Sequence, residues 1–250
     1  KNLSKGDKVV VTGFDLGMNT WGGYSEYIRV PSDWVLPLPE NLTTREAMVL
    51  GTAGMTAGLS VSELFLNKIE EDGNIIVSGA TGGVGLISIA ILASQGFNVT
   101  AVTGKNDMHS ILTDIGANKI ISREELQEGA NKPLLKGEYS GAIDVAGGKT
   151  LDSILKRLKF DGIATCCGLV DSPKLETTVF PFILRGIRLI GIDSAETAIK
   201  QREKVWNMFA NEWKVKLPDE LITECNLETL PSYINQILEG KIKGRVVVKI

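Results

Sequence analysis

The chain has little of what a metal site is built from. Its 250 residues include three cysteines and one histidine. Cys166 and Cys167 are adjacent, Cys225 stands far from them, and no C-x-x-C spacing occurs. Adjacent cysteines do not readily pair with each other. His109 is remote in sequence from all three. A structural zinc takes four such ligands and a catalytic zinc three, so no metal is expected, and Cys166 and Cys167 read as small core residues. Excess charge is scarce too. Lys and Arg number 27 against 30 Asp and Glu, a net charge of −3, which gives no pull toward nucleic acid or an anionic membrane. No apolar run approaches the roughly 20 residues of a membrane span, and no secretory or transit pattern opens the chain. These absences favour the cytoplasm.

What is present is apolar material in a repeating order. Hydrophobic residues make up 43% and charged residues 23%, ordinary for a globular protein of one large or two ordinary domains. From residue 74 strands and helices alternate. Strands are expected near 74–78, 97–102, 118–121, 141–145, 162–167 and 187–192, and helices near 83–95, 107–115, 149–158 and 178–184. Gly96, Gly116 and Gly162 sit where helices stop or turn back. Repeated βα units with short loops predict an α/β fold with a doubly wound parallel sheet.

The flanks read differently. Residues 8–12 and 24–30 read as short strands, and the alternation of Tyr24 and Tyr27 with Ser25 and Glu26 suits core packing. Pro37 and Pro39 forbid a regular central strand there. Thr43 or Thr44 caps a helix from about Arg45, with Glu46 in its first turn. "GTAGMTAGLSVSELF" is a tightly packed helix joining two domains. Residues 197–213 form one amphipathic helix with Ile199, Trp206, Phe209 and Trp213 on one face. A short strand (LITEC), a helix over 228–238 and a final strand (GRVVVKI) follow. The chain thus leaves one β-rich domain, builds a second and returns. It starts without Met and already inside a β-like pattern, so a larger N-terminal portion is expected to precede it.

The stretch "VSGATGGVGLISIAILASQGFNVTAVTGK" carries the chemistry. Its glycines read Ala80-x-Gly82-x-x-Gly85 between a strand and a helix. Gly82 lets backbone approach a pyrophosphate, Gly85 lets the helix pack on the strand, and the helix N-terminus offers N–H groups to phosphate. Methyltransferases and plain turns share such a loop; the βα units behind this one favour a dinucleotide. An NAD site places Asp or Glu at the tip of the second strand, about 20 residues on. Here Thr103-Gly104-Lys105 occupies that tip. A hydroxyl and an ammonium suit a 2′-phosphate, and Arg123, just past the third strand, can reach the same end. The expected cofactor is therefore NADPH.

These residues, with "GGYSEY", "GTAGMTA", "GAIDVAGG" and "PFILRGIRLIGIDS", resemble the zinc-free quinone oxidoreductase branch of the medium-chain dehydrogenase/reductase superfamily, in its acryloyl-CoA reductase-like subgroup. The resemblance runs from Lys5 to Ile250. It implies a Rossmann NADP-binding domain over 47–194 and a GroES-like β-rich catalytic domain, incomplete in this chain, in 1–46 and 195–250, with NADPH in the cleft. The implied activity is metal-independent reduction of the C=C bond of an α,β-unsaturated carbonyl such as acryloyl-CoA. A quinone oxidoreductase and a non-catalytic NADPH-binding protein are the alternatives. Residue by residue, Thr81, Gly82, Gly83 and Val84 match the pyrophosphate segment, and Thr103, Gly104 and Lys105 the 2′-phosphate segment. Cys167, Gly168 and Leu169, and then Ile192, Asp193 and Ser194, match turns near the nicotinamide. Arg245 matches a cofactor-facing position, and Thr52 and Thr56 the helix under the nicotinamide.

The reaction implied needs a positioned substrate, hydrogen-bond donors for a carbonyl oxygen and a source of a proton. Asn19 and Thr20 are candidate donors and Trp21 a candidate wall for an enoyl or quinone substrate; no residue suggests itself as proton donor. The apolar segment 187–192 falls late in the sheet, and an unpaired edge strand invites association. A homodimer joined through it is expected.

Overall fold

The computed structural model describes residues 3–69 and 73–250. Two compact units divide the chain, Thr56–Ile192 and the combination of Lys1–Met55 with Asp193–Ile250.

The first unit holds a six-stranded, wholly parallel sheet. Its strands are β3 (Asn74–Val77), β4 (Asn98–Val102), β5 (Ala117–Ile121), β6 (Tyr139–Asp144), β7 (Leu158–Cys166) and β8 (Arg188–Gly191), following β1 and β2 of the other unit. The spatial order is β5-β4-β3-β6-β7-β8, so the chain reverses direction between β3 and β6. This is the Rossmann order, with its ligand crevice at the carboxyl ends of those two strands. Ile75, Ile76, Val77 and Val99 are completely buried, as both-face coverage of a parallel sheet requires. Helix α2 (Gly83–Ser94) is apolar nearly all round, and Leu86, Ile87, Ile89, Ile91 and Leu92 are completely buried. Helices α3 (His109–Asp114), α4 (Arg123–Gln127), α5 (Gly148–Arg157) and α6 (Phe180–Arg185) join the later strands. The long segment before β6 is held by side chains: Arg157 donates to the Leu126 and Glu128 carbonyls and to Glu138, and Arg185 to the Leu135 carbonyl.

The second unit has short strands. β1 (Val9–Val10) pairs antiparallel with β2 (Leu36–Pro37), and β9 (Ile222–Cys225) pairs in parallel with β10 (Arg245–Val248). Between them come α7 (Ile199–Met208) and α8 (Leu230–Leu238). A buried guanidinium organises the 12–14 and 194–202 stretches. Arg202 donates to the carbonyls of Thr12 (2.7 Å), Ser194 (2.9 Å), Ala195 (2.5 Å) and Thr197 (2.8 Å). It also lies 4.2 Å from the Phe14 ring, which stacks on Trp34.

Helix α1 (Thr44–Leu66) begins with a capping box. The Thr43 hydroxyl accepts the Glu46 N–H, and Glu46 accepts the Thr43 N–H at 2.8 Å. The helix breaks at Gly51, whose φ of 52° is left-handed and suits glycine. Arg245 meets the carbonyls freed by that break, donating to Val49 at 2.7 Å and to Leu50 at 3.4 Å.

Four expectations change. Residues 24–30 form no strand, and Tyr24 and Tyr27 are 62% and 89% exposed rather than core; among the described residues no strand pairs with them, and Gly22, Gly23 and Pro31 flank them. Gly162 lies inside β7, which starts at Leu158 directly after α5 and shifts register between its pairing with Tyr139 and with Gly141. The 197–213 helix turns π-helical at Phe209–Trp213, setting those two rings edge to face at 5.0 Å. One apolar run does reach membrane length. Among the described residues α1, at 23 residues with a mean hydropathy of 1.3, is long and apolar enough by composition, but 67% of that window is buried within the protein.

Candidate functional site

The glycine loop follows β3 directly. A Cβ on Gly85 would stand 2.4 Å from the Gly79 carbonyl oxygen, so glycine is what allows α2 to start against the strand end. Gly82 caps α2 with no side-chain hydrogen bond, and the first turn of an α-helix leaves its N–H groups without intrahelical partners. Thr81 is buried beside them, and Gly83 and Val84 open the helix half-buried. Backbone N–H groups and the helix's positive end at such a turn can receive an anionic group.

The neighbouring strand ends add to the same edge. Thr103 follows β4; its N–H bonds the Ile121 carbonyl at 3.0 Å and its hydroxyl accepts the Lys105 N–H at 3.0 Å. A Cβ at Gly104 would meet nothing within 4 Å, so the turn is open on that side. Arg123 begins α4, two residues past β5, and is exposed. No carboxylate occupies the β4 tip; Asp107 lies in the short 3-10 turn Asn106–Met108 beyond it.

Beyond the reversal point, Cys167, Gly168 and Leu169 follow β7. Gly168 lies flat on the Val145 carbonyl, and Leu169 is 65% exposed. Burial pushes the Cys167 thiol up to about 12, with the nearby Asp144 adding to the shift. It is a neutral thiol near pH 7 rather than a nucleophile. Thr56 and Ser60 of α1 are buried, and the Ser60 hydroxyl bonds the Thr56 carbonyl while lying against Cys167. Ile192 follows β8, its N–H on the Cys166 carbonyl at 2.9 Å.

The structure therefore brings Thr81, Gly82, Gly83, Val84, Thr103, Gly104, Lys105, Arg123, Cys167, Gly168, Leu169 and Ile192 to the carboxyl edge of one sheet. Thr56 lies in the same unit, on α1, and the remaining candidates belong to the second unit. Thr52 follows the Gly51 break, and Arg245 bonds the carbonyls at that break. Burial pulls the Arg245 guanidinium below its ordinary value. The Asp193 carboxylate accepts the N–H groups of Ala195 and Glu196, and the Ser194 carbonyl accepts from Arg202. Asn19 and Thr20 bond the side chain and carbonyl of Asp15, and Trp21 is 85% exposed.

Residues 83–211 match the family described as zinc-binding dehydrogenase. The chain is 43% identical over 253 residues to the putative quinone oxidoreductase YhfP of Bacillus subtilis, covering 99% of this chain and 76% of that one. The chain belongs to the medium-chain dehydrogenase/reductase superfamily. Its branch of oxidoreductases also contains the acrylyl-CoA reductase AcuI of Ruegeria pomeroyi, 40% identical across 98% of this chain and 74% of AcuI. Among solved structures, the YhdH oxidoreductase of Salmonella enterica in complex with NADP matches with a TM-score of 0.92 and 40% identity, over 98% of this chain and 75% of that one. The YhfP structure with NAD bound matches with a TM-score of 0.94 and 42% identity, over 99% and 76% of the two chains. This chain spans about three quarters of each relative. Despite the family's name, among the described residues no group of three His, Cys, Asp or Glu side chains lies together as metal ligands would.

Sequence reasoning singled out the glycine loop and its lysine but passed over Ser78 and Arg202. Ser78 is a completely buried serine directly after the apolar Ile75-Ile76-Val77 of β3, and that was its visible signal. Arg202 looks in sequence like one charge among several on a helix face.

Proposed function

We propose that this protein is an NADPH-dependent, metal-independent reductase of the C=C bond of α,β-unsaturated carbonyl compounds, with acryloyl-CoA as the representative substrate. The observation that carries the reading is the pairing of the phosphate cradle at Gly82–Gly85 with Thr103-Gly104-Lys105 at the neighbouring strand tip, where an NAD site would place an acid. The 40% identity to AcuI supports the substrate class.

NADPH, when bound, supplies the hydride. The chain's residues bind and orient it. Gly82, Gly83 and Val84 would hold its pyrophosphate, with Thr81 beside them. Thr103, Gly104, Lys105 and Arg123 would hold the 2′-phosphate, and Thr56, Cys167, Gly168, Leu169 and Ile192 would flank the nicotinamide end. Thr52, Asp193, Ser194 and Arg245 as cofactor contacts, and Asn19, Thr20 and Trp21 as substrate contacts, enter on the family resemblance.

The identity to YhfP favours a second reading, an NADPH:quinone oxidoreductase. A turnover screen of the protein with NADPH against small enoyl-CoAs, simple enones and quinones decides between them. Turnover of enoyl-CoA well above quinone supports the first reading. The reverse ranking supports the second, and tight NADPH binding without turnover makes the protein a binding module.

The same proposal includes a homodimer. β8 is an edge strand with Leu189 and Ile190 half-buried, and Phe180, Ile183 and Leu184 of α6 are exposed. An edge of this kind is ready to pair with its copy. Light scattering behind size exclusion should give twice the chain mass; a monomer at micromolar concentration overturns it.

A further inference from the structure

We propose that Asp144 is a positioning residue that locks the phosphate loop after β3, the turn after β6 and the turn after β7 into one arrangement, so that the pyrophosphate and nicotinamide end of the dinucleotide meets a preformed surface. The proposal rests on the cofactor reading above. Asp144 ends β6 at the point where the sheet order reverses and is completely buried. Its Oδ1 accepts the Ser78 hydroxyl at 2.6 Å and the Ala146 N–H at 3.3 Å; its Oδ2 accepts the Gly147 N–H at 2.7 Å. Its backbone carbonyl accepts the Cys167 N–H at 3.0 Å, with the Cys167 thiol at 3.4 Å. Ser78 completes the link, because its hydroxyl oxygen accepts the Val145 N–H at 2.9 Å. The Ala146 carbonyl in turn accepts the Asp171 N–H at 2.8 Å, extending the hold to the end of the β7 turn.

Such a carboxylate is costly to bury, and its direct partners are a neutral hydroxyl and neutral amides. Burial pushes the Asp144 carboxyl above its ordinary value, against the pull of those hydrogen bonds. A group that only filled space here would be apolar. What the carboxylate does that an apolar group cannot is accept from donors on two different strand ends at once. The adenosine 2′-phosphate end is built differently: Thr103 bonds to Ile121 of β5 and to Lys105, not to Asp144.

That separation supplies the test. Asp144→Asn keeps the shape but turns one acceptor into a donor, facing either Gly147 N–H or the Ser78 and Ala146 pair. Kd values for NADPH and for adenosine 2′,5′-bisphosphate, which carries the 2′-phosphate end alone, are measured by calorimetry for wild type, Asp144→Asn, Ser78→Ala and Ser78→Thr. NADPH binding should weaken at least about tenfold in Asp144→Asn and Ser78→Ala, the scale of one charge-assisted hydrogen bond. The bisphosphate should stay within about twofold, and Ser78→Thr, which keeps the hydroxyl, should recover NADPH binding. Unchanged NADPH affinity in the variants, or equal loss for both ligands, overturns the positioning role. Should Asp144→Asn fail to fold, the Ser78 pair decides alone: loss with Ala and recovery with Thr supports the role, and no loss with Ala overturns it. A wild type that binds neither ligand overturns the cofactor reading itself, a result distinct from any difference among the variants.

Discussion

The two units are held together by different means. In the Thr56–Ile192 unit order is spread over a ladder. Six parallel strands share the backbone hydrogen bonds, and completely buried Ile, Leu and Val side chains line both faces. In the other unit no strand among the described residues exceeds four residues, and two guanidiniums each gather more than one carbonyl. Arg202 collects four carbonyls, and Arg245 collects the two exposed by the break at Gly51. A spread network tolerates the loss of one member; a concentrated one does not.

Arg202→Ala should break this contrast most visibly. It removes the guanidinium from the carbonyls of Thr12, Ser194, Ala195 and Thr197, of which Ala195 keeps the Phe14 N–H at 2.8 Å. An unsatisfied buried carbonyl such as that of Thr12 costs about 1–3 kcal/mol, and removing the buried side chain that lies over Phe14 adds a cavity, so a loss of about 4 kcal/mol is expected. Hydrogen exchange should accelerate at residues 12–16 and 194–198 while β3, β4 and β6 keep their protection. Equal acceleration in both units would show that the second unit is not separately held.

Ile76→Ala probes the ladder. Ile76 is completely buried in the central strand β3, and removing such a side chain costs about 2–5 kcal/mol. About 3 kcal/mol is expected, read as a lower denaturant midpoint at constant slope. Its exchange signature should spread across β3, β4 and β6 instead of gathering at one loop.

Lys105→Ala moves the contrast to the site. If Lys105 holds the 2′-phosphate as a point charge, NADPH binding weakens about tenfold, or about 1.4 kcal/mol, while NADH binding is unchanged. Equal losses for the two would remove the 2′-phosphate assignment.

How much of this was legible in sequence follows the same line. The sheet unit announced itself because each strand and helix carries its own period and its own glycine stop, as Gly96 and Gly116 do, with φ of 87° and 113°. The phosphate cradle was legible because it is a backbone feature that only a few glycines permit, Gly85 above all. The second unit was not legible in this way. Residues 24–30 carry a strand-like pattern yet lack a paired strand among the described residues, and local alternation contains no information about a partner. Arg202 was invisible because its partners lie at Thr12 and in the 194–197 turn, and nothing local to its helix points to them. Asp144 stands between: in sequence it directly follows the apolar Ala142-Ile143, while its bond from Ser78, 66 residues earlier, leaves no local mark.

The smallest effect tests whether the second unit has any local, sequence-readable support. The α1 capping box is one such place, since Thr43 and Glu46 are three residues apart and bond reciprocally. Thr43→Ala should cost about 1 kcal/mol at pH 7, through loss of the hydroxyl that accepts the Glu46 N–H. The Thr43 N–H and hydroxyl hold the Glu46 carboxyl below its ordinary value of 4.5. A carboxylate whose folded value is depressed stabilises fully above its unfolded value, and that contribution is lost as the pH falls through the folded value. The stability difference between wild type and Glu46→Gln should therefore be constant from pH 7 down to about pH 5 and shrink below about pH 4.5, measured by urea unfolding at each pH. A difference that persists unchanged at pH 3 would mean that the carboxylate does not carry the cap.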